Sequence, residues 1–233
     1  MRNRNYRLGT IILGLAVSVI LFLTSCVDDQ DVPEPIEHAH VSIYHGSPDL
    51  EGINIRVSTG QINETPFEYD DYFPYLNFFP GERYMKFIES DLDVVTLIDT
   101  TFTFEIDHNY SVFVANTASN LEAVLIEDIF PASIAGKAMV RFIHMSPDAP
   151  AVNVLANEDE LFGTTIFTEG SEFLPIDAGR TTFEFIEEAL FNTVIQLPEV
   201  QLTSGGYYNI ILSGFDNPPA GNTNELKVDV VRL

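Results

Sequence analysis

Cysteine is almost missing from this chain: Cys26 is the only one in 233 residues. A single thiol has no intramolecular partner, which excludes a disulfide-stapled scaffold. Zinc sites built on Cys/His pairs are excluded with it, because their spacing occurs nowhere. There is no Walker-type phosphate loop and no dinucleotide fingerprint. Basic residues are scarce, 11 Lys+Arg against 35 Asp+Glu. Three of the 11, Arg2, Arg4 and Arg7, lie at the N-terminus, so beyond them the balance is 8 − 35 = −27. A field of that sign repels phosphate backbones, so nucleic-acid binding is set aside. Cationic partners, divalent cations and neutral glycans stay open, and charge of this size also favours solubility.

Long hydrophobic runs are lacking too. The longest, Leu8 to Leu23, has 16 residues, short of the roughly 20 that cross a bilayer comfortably. It follows the three arginines and precedes Leu23-Thr24-Ser25-Cys26. Basic, then apolar, then small is the order of a secretory signal. The cysteine at its end resembles the lipobox of bacterial lipoproteins, which implies cleavage before Cys26 and acylation of its thiol. A membrane-spanning anchor is the alternative. Residues 26–38 then read as a tether, since acidic residues with Pro33 and Pro35 make a poor core and a good spacer. The acidic run after Cys26 resembles the export signal of surface lipoproteins in the Bacteroidetes. The expected location is therefore the outer membrane, lipid-anchored and facing outward.

The remainder repeats itself. Val41-Ser42-Ile43-Tyr44-His45-Gly46-Ser47-Pro48-Asp49 aligns with Val140-Arg141-Phe142-Ile143-His144-Met145-Ser146-Pro147-Asp148 at an offset of 144 − 45 = 99. Gly81 and Phe87-Ile88-Glu89 align with Gly179 and Phe185-Ile186-Glu187 at 98, as does Tyr110 with Tyr208. A fixed period of this length marks a duplicated unit. Within each copy, apolar residues alternate in short runs, as in Ile53/Ile55/Val57 and Phe102/Phe104/Ile106, punctuated by Gly, Pro, Asn and Asp. Helical periodicity is not found beyond the signal. The expected fold is all-β, two tandem antiparallel β-sandwiches of immunoglobulin-like character with seven or eight strands each. The expected boundaries are 1–25 signal, 26–38 tether, 39–130 repeat 1, 131–137 linker and 138–233 repeat 2.

The string Val-Arg-Phe-Ile-His-Met-Ser-Pro-Asp-Ala-Pro-Ala-Val-Asn-Val at 140–154, with Leu174 to Gly179 and the strand at Tyr208, closely resembles the family called domain of unknown function 4397. The resemblance covers 138–233 closely and 39–130 more loosely. It implies a β-rich extracytoplasmic module and brings no catalytic residues and no cofactor.

The signature His-x-Ser-Pro-Asp places His45, Ser47, Pro48 and Asp49 in one copy, and His144, Ser146, Pro147 and Asp148 in the other. A Ser/His/Asp relay needs the base to reach the nucleophile and a third group to orient the base. Five consecutive residues at a strand end suit a turn better, with Pro fixing φ and the Ser and Asp oxygens taking free N–H groups. A ligand or metal role for the histidines is the lesser alternative. Aromatic residues concentrate between Phe67 and Phe79. There Tyr69, Tyr72 and Phe73 have no aligned counterparts in the second copy, which makes them the candidate contact surface, a stacking platform for sugar rings. Acidic groups at Asp70-Asp71, Asp91/Asp93 and Glu158-Asp159-Glu160 lack the spacing of a calcium loop. The polar stretch Asp216 to Asn224 reads as a recognition loop or a plain connection. No catalytic residue, metal or cofactor is assigned. The expected function is a non-catalytic surface lipoprotein presenting binding or adhesion modules to glycans or to envelope or host proteins. A structural subunit of an envelope assembly and a hydrolase are the alternatives.

Overall fold

The structure, a computed structural model, describes residues 36–58, 60–90 and 95–233. The expected signal, Cys26, most of the expected tether and Asp91/Asp93 lie outside the described residues. Glu37–Leu233 forms one compact unit.

Each repeat contributes eight strands. Repeat 1 holds β1 (Ala39–His45), β2 (Ile53–Val57), β3 (Gly60–Gln61), β4 (Tyr72–Phe78), β5 (Gly81–Glu89), β6 (Thr96–Phe104), β7 (Asn109–Ala115) and β8 (Glu122–Glu127). Repeat 2 follows with β9 (Lys137–His144), β10 (Val152–Ala156), β11 (Asp159–Thr165), β12 (Leu174–Asp177), β13 (Gly179–Glu187), β14 (Thr193–Leu202), β15 (Tyr207–Ser213) and β16 (Lys227–Arg232). The only helical segment described is a short 3-10 turn at Ala118–Asn120.

The strands form four four-stranded sheets. Those of repeat 1 run β3-β2-β5-β6 and β4-β1-β7-β8; those of repeat 2 run β11-β10-β13-β14 and β12-β9-β15-β16. The all-β sandwich expected from the sequence is therefore what forms. One detail departs from purely antiparallel pairing: β1 lies parallel to β7, and β9 parallel to β15. In each case the two strands belong to opposite ends of the repeat, so a long connection through the other sheet brings them side by side. Phe102 and Phe104 keep the expected alternation, but Ile106 does not extend it. β6 stops at Phe104, Asp107 turns at φ 60°, and Ile106 is 44% exposed.

Three apolar clusters order these sheets into layers. One lies inside repeat 1, where Val41, Ile43 and Val112 meet Ile55, Met85 and Phe87. Its counterpart in repeat 2 joins Val140, Phe142 and Ile210 to Val154, Phe183 and Phe185. The third contains Tyr44, Phe113 and Ala115 from repeat 1 with Ile143, Met145 and Ile211 from repeat 2. The β4-β1-β7-β8 sheet thus packs on its own partner with one face and on the β12-β9-β15-β16 sheet with the other. The result is a stack of four sheets, inner sheets meeting at the centre. A sheet buried on both faces reads as a nearly continuous apolar run, which is why β7 and β9 are buried at every position but the first.

Candidate functional site

Both signatures sit at the distal end of a central strand and hold loops together. His45 and His144 are fully buried. The Nε2 of His45 faces the Glu51 carbonyl at 3.4 Å, and that of His144 the Pro150 carbonyl at 3.0 Å. A carbonyl accepts only, so Nε2 carries the proton in each ring and Nδ1 is the free acceptor. At His45 the Ser47 N–H approaches Nδ1 at 3.4 Å; at His144 the same atom has no partner. Burial pushes the His45 imidazole down to about 4 and lowers that of His144 as well, since desolvation penalises the charged ring. The aspartates bind the loop that follows the adjacent strand. Asp49 Oδ1 accepts the Ala118 N–H at 2.7 Å, and Asp148 accepts those of Asp216 and Asn217 at 2.8 and 2.9 Å. Ser146 Oγ donates to the Gly214 carbonyl at 2.6 Å and accepts the Ala149 N–H at 3.3 Å. His and Asp in each signature, and Ser146 in the second, therefore engage backbone groups of separate loops, while Ser47 Oγ is buried without a partner and neither serine hydroxyl bonds its histidine ring.

Tyr69, Tyr72 and Phe73 are half-buried rather than displayed. Phe73 stacks on the core ring of Phe67 at 4.5 Å and 9°. Tyr72 packs against the cluster between the repeats, its hydroxyl enclosed and without a partner. Tyr69 meets His45 edge-on at 6.4 Å, while Phe167 meets His144 edge-on at 6.5 Å. Tyr69 therefore has a counterpart, contrary to the expectation from sequence. The match is fixed by the next residue, Asp70 or Thr168, which in each copy has φ near 70° and gives its N–H to the signature histidine carbonyl. The acidic groups are likewise engaged or exposed. Asp70 pairs with Lys227, Asp71 accepts the Glu68 N–H at 2.8 Å, and Glu158 and Asp159 are exposed, Glu158 in the two-residue β10–β11 turn. Among the described residues no group of three His, Cys, Asp or Glu is placed to hold a metal.

The contact that sequence reasoning missed lies between the repeats, where two polar centres interrupt the apolar joint. In the first, Arg141 and Asp128 are both buried and paired at 2.5 Å. Arg141 Nε donates to Asn209 Oδ1 at 2.6 Å and Nη2 to Ser111 Oγ at 3.1 Å, with the guanidinium 4.8 Å from the Phe173 ring centre. Asp128 also accepts from Ser111 at 2.7 Å and Tyr75 at 2.5 Å. In the second, Tyr44 Oη lies 2.8 Å from Asp229 Oδ2 and 3.1 Å from Asp70 Oδ1, while Lys227 Nζ pairs with both carboxylates. Burial and then the two carboxylates hold the Tyr44 phenol well above its usual range. Burial also raises the Asp70 carboxyl, against the pull of Lys227.

These contacts give the stack two distinct ends. At one, an ideal Cβ on Gly46 would lie 3.5 Å from Met145 Cβ, and the Pro48 carbonyl accepts from Asn222 at 2.9 Å and Asn224 at 2.6 Å. The stretch 216–224 is thus a clasp across the repeats. The β13–β14 hairpin tip, with Leu190 and Phe191 at 65% and 77% exposure, lies at this end as well, because Glu187 pairs with Val152 just past the signature. At the other end Phe130 packs on Tyr207 at 5.0 Å, the chain enters at Glu37, and Leu233 bonds Tyr207.

Fold and contacts together define a tandem β-sandwich protein whose two repeats share one central joint. The chain belongs to the family described as domain of unknown function (DUF4397), which matches residues 39–155 and again 138–223. The two matches overlap on 138–155, the strand and turn that open repeat 2. No curated protein matches the chain. No helix among the described residues is long and apolar enough to cross a membrane.

Proposed function

We propose that this protein is a non-catalytic lipoprotein, held at the outer face of the outer membrane through Cys26, that presents its paired sandwiches for binding glycans or envelope or host proteins. The observation that carries this reading is the convergence of loops. Both signature turns, the 216–224 clasp and the Leu190-Phe191 tip gather at the end opposite Glu37, where the tether joins. Loops held by a β scaffold are where recognition surfaces form. A signature that braces those loops fits a display role, since its aspartates, its histidine Nε2 atoms and Ser146 bond backbone groups of those loops.

The test is binding of the immobilised 37–233 fragment to a glycan panel and to purified envelope components. Leu190→Ser with Phe191→Ser should weaken the affinity of any ligand found roughly tenfold or more, the scale of a contact residue, with unchanged thermal unfolding. Affinity that ignores both substitutions would refute the distal surface. A partner that co-purifies in fixed stoichiometry would instead favour an assembly subunit.

A further inference from the structure

The end where the chain enters carries an unexpected set of exposed apolar side chains. Phe79 is 62% exposed, Ile129 73%, Ile134 48% and Ile106 44%. Topology places all four at this end. Phe79 follows the residue paired with Ala39, and Ile106 lies between the residue paired with Gly81 and Asp107, whose N–H meets the His38 carbonyl. Ile129 follows Asp128, which bonds Asn109, and Ile134 accepts from Lys137 at the start of β9. Phe79 is firmly presented: Arg83 donates to the carbonyls of Phe79 at 2.8 Å, of Glu82 at 2.9 Å and of Pro80. Gly81, at φ 92°, makes the tight exit from that turn.

The duplication supplies an internal control. At the same offset of 98, the position of Phe79 is Asp177 in repeat 2, and that of Ile106 is Ser204. His38 stacks on Phe79 at 6.0 Å where repeat 2 has Lys137 paired with Asp177 at 2.9 Å. The fold therefore accepts polar residues at both sites. The apolar ones occur only in the repeat that continues into the tether.

We propose that this base is a membrane-facing surface, which rests on the bilayer that holds the lipid anchor and inserts Phe79 and Ile129 at the headgroup boundary. The occupant follows from where the chain enters: a lipid on Cys26 would attach the bilayer to this end, through residues 27–36. The inference rests on the lipid-anchored reading of Cys26. Glu37, Glu82, Glu105, Asp107 and Glu127 are exposed at the same end. They make the contact shallow and disfavour anionic headgroups.

The chain lacks tryptophan and has one cysteine, so both probe and attachment can be placed at will. The mature chain from Cys26 is coupled through its thiol to maleimide-bearing phosphatidylethanolamine in phosphatidylcholine vesicles containing brominated acyl chains. Phe79→Trp and Ile129→Trp should be quenched at least about threefold more than Phe191→Trp at the distal end, as expected for insertion of 5–10 Å. Adding phosphatidylglycerol should reduce the difference. Equal quenching at both ends, or greater quenching of the distal probe, overturns the proposal. So does a dimer of the uncoupled chain, seen by sedimentation, that Phe79→Ser abolishes, because the base would then be covered by a second copy. Acylation of Cys26 itself is read separately, by mass spectrometry of the native protein. Its absence would sink the anchoring reading without touching the vesicle result.

Discussion

Removal of the Asp128 carboxylate tests the central joint directly. Asp128 is ion-paired with Arg141 at 2.5 Å and accepts from Ser111 and Tyr75 at 2.7 and 2.5 Å, and neither member of the ion pair reaches solvent. Asp128→Ala leaves the guanidinium buried with only Asn209 and Ser111 as acceptors. Breaking one side of such a pair costs about 3–5 kcal/mol, because an uncompensated charge stays in a low-dielectric site. For a unit of this size each kcal/mol moves the midpoint by about 2–4 °C, so the midpoint should fall by roughly 6–20 °C. Urea unfolding of the 37–233 fragment measures the free-energy loss and thermal unfolding the midpoint, both followed by far-ultraviolet and tyrosine near-ultraviolet circular dichroism. The double variant Asp128→Leu/Arg141→Met replaces both charges by apolar groups and should recover most of the loss. A loss below about 1 kcal/mol, the scale of an exposed pair, would refute the reasoning. So would a double variant no more stable than Asp128→Ala.

The buried histidines make stability depend on pH. His45 falls from its ordinary 6.5 to about 4 on folding, so the unfolded chain binds the proton more readily. The stabilisation is complete above pH 6.5 and is lost as pH falls towards 4, by roughly 3 kcal/mol for this residue. His45→Gln should flatten the stability profile in that window, and an unchanged profile would contradict the assignment. Gly170→Val tests how closely the repeats approach, since a Cβ there would lie 3.0 Å from Ile126 Cδ1 of the other repeat. It should cost about 1–3 kcal/mol by overpacking, whereas Gly163→Val, with nothing within 4 Å of a Cβ, should cost less; equal losses would argue against a tight joint.

The outer sheets were legible in the sequence because one of their faces meets water. Ile53/Ile55 and Met85/Phe87 alternate with polar neighbours, and the structure buries those residues. The inner strands were recognised as strands, but not as strands covered twice. Val140-Arg141-Phe142-Ile143-His144 is apolar enough to cross a core, and nothing local states what lies beyond its second face. Arg141 held a clue: a lone charge in such a run needs a buried counter-charge, yet Asp128 is supplied by the end of the preceding repeat. The parallel pairing of β1 with β7 leaves no mark, because period two is the same for either direction. Tyr69 was mismatched for a different reason. The stretch before it is one residue shorter in repeat 2, 168 − 144 = 24 against 70 − 45 = 25, so the offset changes from 99 to 98 on the way. The left-handed residue that follows, Asp70 or Thr168, marks where the offset of 98 already holds.

The two repeats differ where they meet, and this bears on why the joint has a single geometry. Arg141 stands where repeat 1 has Ser42, and Ile143 where it has Tyr44. Strand pairing sets Asp229 opposite Ile211 as it sets Val124 opposite Phe113, so the carboxylate of one inner sheet corresponds to an aliphatic group of the other. Two equal apolar sheets could slide past one another or exchange places with little change in buried area, since hydrophobic contact is not directional. Charges that differ between the sheets remove that freedom. Arg141 reaches Asp128 in only one register, and Tyr44 reaches Asp229 only in that same register. Any slip would strand a buried guanidinium or a buried carboxylate, a far larger penalty than the apolar contact it would regain. The polar centres therefore act chiefly by excluding alternative packings. Because they sit at different places along the joint, one translation or rotation cannot satisfy both wrongly, and the duplicated sandwich is held as one body with a defined chain-entry end and a defined loop end.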